Sequence, residues 1–211
     1  MMYDTMPNPF RTLLIATLML TGVIGLTGCG STAVQVERMS VEEQIDLSGA
    51  WNDTDSRLVS EEMIQDMLSR AWILNHARRT GEQPAIIVGG IRNLSHEHIN
   101  VETFVGDIER AMINSGQITF VASSSERQDI RDERRDQDIH ASEDTRKRMG
   151  QERGADFMLK GKINTIIDME GRTQVRYYQV DLDLISLTDN RKVWLGQKKI
   201  KKYIKNSKLR L

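Results

Sequence analysis

Cysteine is almost missing from this sequence. One occurs in 211 residues, Cys29, so no internal disulfide can close and no cysteine cluster can hold zinc. Histidine is scarce too, at four, which leaves little for a histidine-rich metal site. Neither sign of charge is in excess: 29 basic residues against 30 acidic ones give a net charge of −1. A nucleic-acid binder would carry a basic surplus to match phosphate, so no nucleic-acid partner is expected. The longest apolar run falls short of the ~20 residues that a transmembrane helix needs. What is present is 39% hydrophobic and 28% charged residues. That is enough to bury one core, and the length fits one domain with an appendage.

Residues 13–26 are nearly all apolar, interrupted only by Thr17, Thr21, Gly22 and Gly25. The run suits the h-region of a secretory signal, with Arg11 as its n-region charge and Asp4 opposing it. Met6 offers a second start that would drop the acid. The run ends Leu26-Thr27-Gly28-Cys29, which resembles a bacterial lipobox. Small residues there give a peptidase access to the bond between Gly28 and Cys29. The cysteine thiol takes a diacylglycerol group, and the freed amine takes a further acyl chain such as palmitate. Several acyl chains anchor stably where one is marginal. The chain then divides into a signal peptide over residues 1–28, a lipidated tether over 29–47, and a single α/β domain over 48–211 with a basic C-terminal tail. By likeness to known lipoproteins, Gly30 in place of an aspartate after Cys29 implies the outer membrane, with the domain facing the periplasm. An oxidising compartment suits a chain with no spare thiol.

Residues 30–47 show no sustained period and read as the tether, with 33–36 as a candidate short strand. Thr54 or Asp55 caps a first helix. Met63, Ile64, Met67, Leu68, Ala71 and Leu74 share one face, and the helix is expected to run to residues 78–81. Pro84 leads into a short apolar run, 85–91, read as a buried central strand. Asn100 caps a second helix whose Val101, Phe104, Val105, Ile108, Ala111 and Met112 align. Residues 118–121 form a short strand, so strand, helix, strand predicts a parallel pair with a right-handed crossover. Residues 126–153 are dense in both charges. Two helices are expected there, Ser142 capping the second and Gly154 closing it, with either a solvated or a partner-binding face. The last third predicts strands over 157–167, 174–187 and 193–203, with turns at Glu170-Gly171 and Asp189-Asn190. Tyr178, Val180, Leu182 and Leu184 face the core, with Arg176 an intruder among them. Tyr177, Gln179, Asp181 and Asp183 face the other way. The expected fold is an α/β sandwich, a four- to five-stranded mixed sheet flanked by helices.

Candidate chemistry is sparse. His96-Glu97-His98 could share a metal, but it falls in a loop with no third ligand nearby, so no metal is assigned. Asp181 and Asp183 lie about 7 Å apart along one strand face, a spacing that acid–base pairs use. Alternation on an outer sheet face produces the same pair, and nothing nearby supplies a nucleophile. Ser123-Ser124-Ser125 lacks a Gly-x-Ser-x-Gly frame. Gly89-Gly90 follows a strand but lacks a dinucleotide fingerprint. No catalytic residue and no cofactor is assigned, and the chain is read as a non-enzyme. Residues 198–210 hold seven basic residues and no acid. They either meet anionic head groups or acidic polymers, or guard an edge strand followed by a solvated tail. Trp51-Asn52-Asp53, an aromatic with polar neighbours where the domain begins, is the first candidate for partner contact, and Trp51 serves equally well as core.

Several segments resemble the LpoB-type lipoprotein activators of penicillin-binding proteins. They are the lipobox Cys29, residues 47–57 (Leu-Ser-Gly-Ala-Trp-Asn-Asp-Thr-Asp-Ser-Arg), 86–93, 98–104, 107–111, 154–159, 178–182 and 192–199. The resemblance covers residues 47–205. It implies an outer-membrane lipoprotein that docks on a bifunctional peptidoglycan synthase and stimulates it, on a fold like the N-terminal domain of TolB. One departure is the tether, which lacks proline where the best-known members have a long Pro-rich one. About 18 residues span about 25 Å as coil and at most about 60 Å extended. A related fold occurs in lipoproteins that assemble curli-type secretion pores, so an envelope assembly or secretion accessory is the alternative expectation.

Overall fold

The computed structural model describes residues 36–150 and 152–205. Gly28, Cys29, residues 30–35 of the tether and the tail after Lys205 lie outside the described residues. The chain groups into two units, residues 1–41 and 42–211. Of the first, residues 36–41 hold no helix or strand. Only Val36 of the candidate strand at 33–36 is described.

The second unit begins with helix α1 (Asp53–Leu68). Its cap is Asn52, earlier than expected. The Asn52 side chain accepts from the Asp55 N–H, and the Asp55 carboxylate accepts in return from the Asn52 N–H. This reciprocal capping box satisfies two otherwise orphaned donors. The single long helix expected to reach 78–81 is instead two. The Ser69 hydroxyl donates to Asp66 O, and the Trp72 indole N–H donates to Met67 O. Those bonds occupy carbonyls at the end of α1 and turn the chain into α2 (Trp72–Thr80). Leu74, expected on the apolar face, is accordingly exposed, while Trp72, Ile73 and His76 turn inward. Gly81, at φ 76°, ends α2 in the left-handed conformation that glycine adopts freely.

Strand β1 (Ala85–Asn93), helix α3 (Val101–Asn114) and strand β2 (Thr119–Phe120) follow. Strands β1 and β2 are parallel, as the strand–helix–strand order predicts. Asn100 caps α3 through the Glu102 N–H. Gly89-Gly90 is a bulge: the register of β1 against the strand that begins at Phe157 shifts between Val88 and Ile91. The extra residue resets the alternation, so Ile86, Val88 and Ile91 all reach the same core. Helix α4 (Ser124–His140) is one helix where two were expected. After His140 the chain runs in turns, and Ser142 closes one by accepting from the Thr145 and Arg146 amides through its carbonyl.

Three long strands complete the fold: β3 (Phe157–Glu170), β4 (Thr173–Ser186) and β5 (Lys192–Lys205). The sheet order is β2-β1-β3-β4-β5, with β3 parallel to β1 and the last three strands antiparallel. The turns fall where expected, with Gly171 at φ 58° and Asn190 at φ 60°. Helices α1, α2 and α3 send Val59, Met63, Met67, Trp72, Phe104, Ile108 and Met112 into one core. The sheet answers with Leu159, Ile163, Val180, Leu182, Leu184 and Trp194. The contact is close at Gly196, where a Cβ would run into the Trp194 ring and approach Met63. The fold is thus a mixed five-stranded sheet with α1, α2 and α3 on one face. A 14-residue strand is about 46 Å long, against about 24 Å for a 16-residue helix. The β3–β4–β5 limb therefore outruns the helix layer, and Ile166, Met169 and Tyr203 stand exposed at its far end.

Candidate docking surface

The residues expected to meet a partner first lie where the chain joins the sheet. Trp51 is half-buried, stacked edge-on against Tyr178 at 5.5 Å and Phe104 at 6.5 Å between ring centres. Its indole N–H donates to Ser56 Oγ at 2.8 Å. Asn52 is the α1 cap and also donates to Asp46 Oδ1 at 2.7 Å. Asp53 is exposed in the first helical turn.

Beneath Trp51 sits Glu97, the middle residue of the His96-Glu97-His98 loop. His96 and His98 are exposed, but Glu97 between them turns inward. Its Oε1 accepts from Arg176 Nη1 at 2.7 Å and from the Tyr178 hydroxyl at 2.7 Å, and its Oε2 accepts from the Trp51 N–H at 3.0 Å. This explains Arg176 on the core face of β4: its charge is matched by a carboxylate from the α3 lead-in loop. Burial, and then the hydrogen bond to Glu97, hold the Tyr178 hydroxyl well above the ordinary tyrosine range. It is therefore a neutral donor at physiological pH.

A second lock lies beside the first. Lys202 Nζ reaches Asp46 Oδ1 and Asp55 Oδ2, both at 2.7 Å, and Ala50 O at 3.1 Å. Burial alone would lower the Lys202 pKa, but bonds to Asp46 and Asp55 outweigh it and raise it. The Lys202 contact likewise lowers Asp46. Gly49, at φ 66°, lies so close to Ile204 that a Cβ would strike it. The segment from Asp46 to Ser56 is thus bolted across β4 and β5.

The remaining candidates separate. His96 bonds only Thr165, through its N–H at 3.1 Å and Nδ1 at 3.3 Å. Among the described residues, no three His, Cys, Asp or Glu side chains are grouped to hold a metal. Ser123 is the cap of α4, in a capping box with Glu126. Asp181 and Asp183 do share the outer face of β4. Asp181 accepts from Gln179 at 2.9 Å and Gln197 at 2.8 Å, with Lys162 at 4.0 Å, and Asp183 pairs with Lys192 at 2.7 Å.

Among the described residues, no helix covers the antiparallel part of that outer face. Cross-strand register sets it out in rows: Lys162–Asp181–Gln197, Asn164–Gln179–Lys199, Ile166–Tyr177–Lys201, Asp168–Val175–Tyr203 and Glu170–Thr173–Lys205. The aspartates near its base are neutralised by neighbours. Lys199, Lys201 and Lys205 have no carboxylate partner among the described residues. They stand exposed along the outer strand, flanking Tyr203, which is 69% exposed.

The family profile of the peptidoglycan-synthase activator LpoB matches residues 55–200, more than half of the chain and all but the ends of the folded unit. The chain belongs to the LpoB family. Among solved structures, the LpoB C-terminal domain from Escherichia coli is similar at 14% identity and a TM-score of 0.41, covering 69% of this chain and 98% of that one. The corresponding domain from Salmonella enterica gives 13% identity and a TM-score of 0.40, with the same coverage. Lipoprotein GNA1162 from Neisseria meningitidis gives 12% identity and 0.37, covering 59% of this chain and 87% of that one. No curated protein matches the sequence significantly.

The segments that carry the LpoB likeness are largely the ones that build the scaffold. Residues 47–57 hold the lead-in lock and the α1 cap, and 86–93 are β1 with its bulge. Residues 154–159 bring Asp156, whose Oδ2 accepts from the Ala85 N–H at 2.8 Å, and Phe157, which packs on Trp72 at 5.2 Å. Residues 192–199 bring Trp194, whose indole donates to Asp66 at 2.8 Å.

Proposed function

We propose that this LpoB-family chain is an outer-membrane lipoprotein, anchored through acylated Cys29, whose domain faces the periplasm and docks on a bifunctional penicillin-binding protein. Docking raises the synthase's glycan polymerisation and cross-linking. The observation that carries the reading is the family match, which spans the folded unit from α1 to β5. Activation of this kind needs no chemistry in the activator. It needs only tighter binding to the active conformation of the synthase than to the inactive one, which shifts the population. The outer sheet face favours such a role: Asp181 and Asp183 are tied to neighbouring side chains on an open surface, where a reaction centre would keep a carboxylate poised and enclosed. The tether sets a condition on the partner. With strands about 46 Å long in the domain, the receiving surface must lie within roughly 70–105 Å of the membrane.

The test immobilises the mature chain without its lipid and passes over it detergent-solubilised membranes of the native host. A retained band that reacts with fluorescent penicillin is expected, and that synthase should polymerise glycan faster with the chain than without it. Retention of secretion or self-assembling components, with no penicillin-reactive band, would move the assignment to envelope assembly.

A further inference from the structure

Strand β5 is the last in the sheet order. Among the described residues no strand continues beyond it, so its outer backbone edge is open over 14 residues. An open edge of this length is a template for another strand. Its side chains sort by face. Trp194, Lys198 and Lys202 point toward the helices, where Lys198 meets Glu62 and Lys202 meets Asp46 and Asp55. Lys199, Lys201, Tyr203 and Lys205 point to the uncovered face and are all exposed. Their Cα atoms recur about every 7 Å, the two-residue repeat of a strand.

The charge pattern selects the occupant. A second copy of β5 would set lysine against lysine across the new pair, which is unfavourable. Of the acids on the same face, Asp181 and Asp183 on β4 are taken up by Lys162, Gln197 and Lys192, while Asp168 and Glu170 are on β3, about 10 Å away across two strand spacings, and none pairs with the row. A strand bearing carboxylates at alternate positions would meet Lys199, Lys201 and Lys205 directly, with an apolar residue opposite Tyr203. Behind Tyr203 lie Val175, and then Tyr177 and Ile166 in the next row, which extend the apolar contact. The same lysines thus exclude the wrong partner and attract the right one.

We propose that β5 receives an extended acidic segment of a partner protein by strand addition, in the pattern acid-x-acid-x-apolar-x-acid. Main-chain bonds to the open edge supply affinity, and the lysine row with Tyr203 supplies register. In the cell this rests on the reading that the domain works by docking on another protein, but the binding mode is testable without that partner.

The probe is a fluorescent twelve-residue synthetic peptide, Glu-Thr-Glu-Thr-Ile-Thr-Glu at its centre, titrated against the full chain lacking its signal segment. Anisotropy should show saturable binding that weakens with salt. The K199E/K201E variant should weaken it about tenfold or more. R78E/R79E, with the same change in net charge on α2, should leave it unchanged. A peptide N-methylated at alternate backbone nitrogens, with identical charge, should also lose binding, because strand addition needs its N–H groups. Equal binding of a scrambled peptide or of the N-methylated one overturns the proposal, as does absence of binding. Selective loss of binding to anionic vesicles in K199E/K201E, with no peptide binding, would assign the row to a lipid surface instead. The two readings fail separately. Peptide binding with no penicillin-reactive band leaves the strand site standing without the synthase. A retained synthase that K199E/K201E does not weaken leaves the synthase standing and removes this site.

Discussion

Glu97 gathers an arginine, a tyrosine hydroxyl and a backbone amide on one carboxylate. Its side chain is 16% exposed and that of Arg176 is 20% exposed, so solvent does little to replace what the pair provides. Removing one partner of such a pair strands the other. Glu97→Ala should therefore lower unfolding free energy by about 3 kcal/mol. Glu97→Gln, which keeps an acceptor oxygen, should lose about half as much. Urea unfolding with unchanged m-value reads both. A loss below about 1 kcal/mol in Glu97→Ala would show that the lead-in segment is held by packing of Trp51 alone.

At the scale of elements, α4 differs from the other helices. None of its residues is buried, and Ile130 and Ile139 are exposed. Its stability must come from its own cap and from charge pairs. Ser123 and Glu126 form a capping box, and the Ser123 bonds hold Glu126 below the usual carboxylate range. Arg131 and Arg134 also reach Glu152 across the following turns. A helix so lightly attached should open without unfolding the sheet. Ser123→Ala should cost about 1 kcal/mol of helix stability. It should show as faster amide exchange over residues 124–140, with the cooperative unfolding midpoint of the domain unchanged. A shift in that midpoint would mean that α4 is part of the cooperative core.

Across the folded unit as a whole, α1–α3 cover one face of the sheet, and its long antiparallel limb ends in β5, whose outer edge no described strand pairs. Such edges invite self-pairing unless charge opposes it. Replacing Lys199, Lys201 and Lys205 together by threonine keeps strand propensity and removes the charge. The variant should self-associate with rising concentration in sedimentation velocity, while the natural chain under the same conditions does not. If both behave alike, the lysines do not guard the edge.

Features that depend on near neighbours in the chain were legible without the fold. The two-residue alternation of β4 placed Tyr178, Val180, Leu182 and Leu184 inward, Gly171 and Asn190 marked the turns, and Asn100 marked a helix start. The family likeness was also legible, because its motifs are short and contiguous. The division of the first helical stretch was less so, since apolar spacing continues through residues 69–71 and only the Trp72 indole on the Met67 carbonyl reveals the break. Tertiary structure alone decided the role of Glu97. Its partners lie 46, 79 and 81 residues away, and the two histidines beside it drew the eye to metal chemistry. It also decided which lysines are spent: Lys198 and Lys202 pair inward, while Lys199, Lys201 and Lys205 meet no carboxylate among the described residues. Alternation separates those two sets in the sequence, but only the packing of α1 and the lead-in segment on one face of β5 says which set meets solvent.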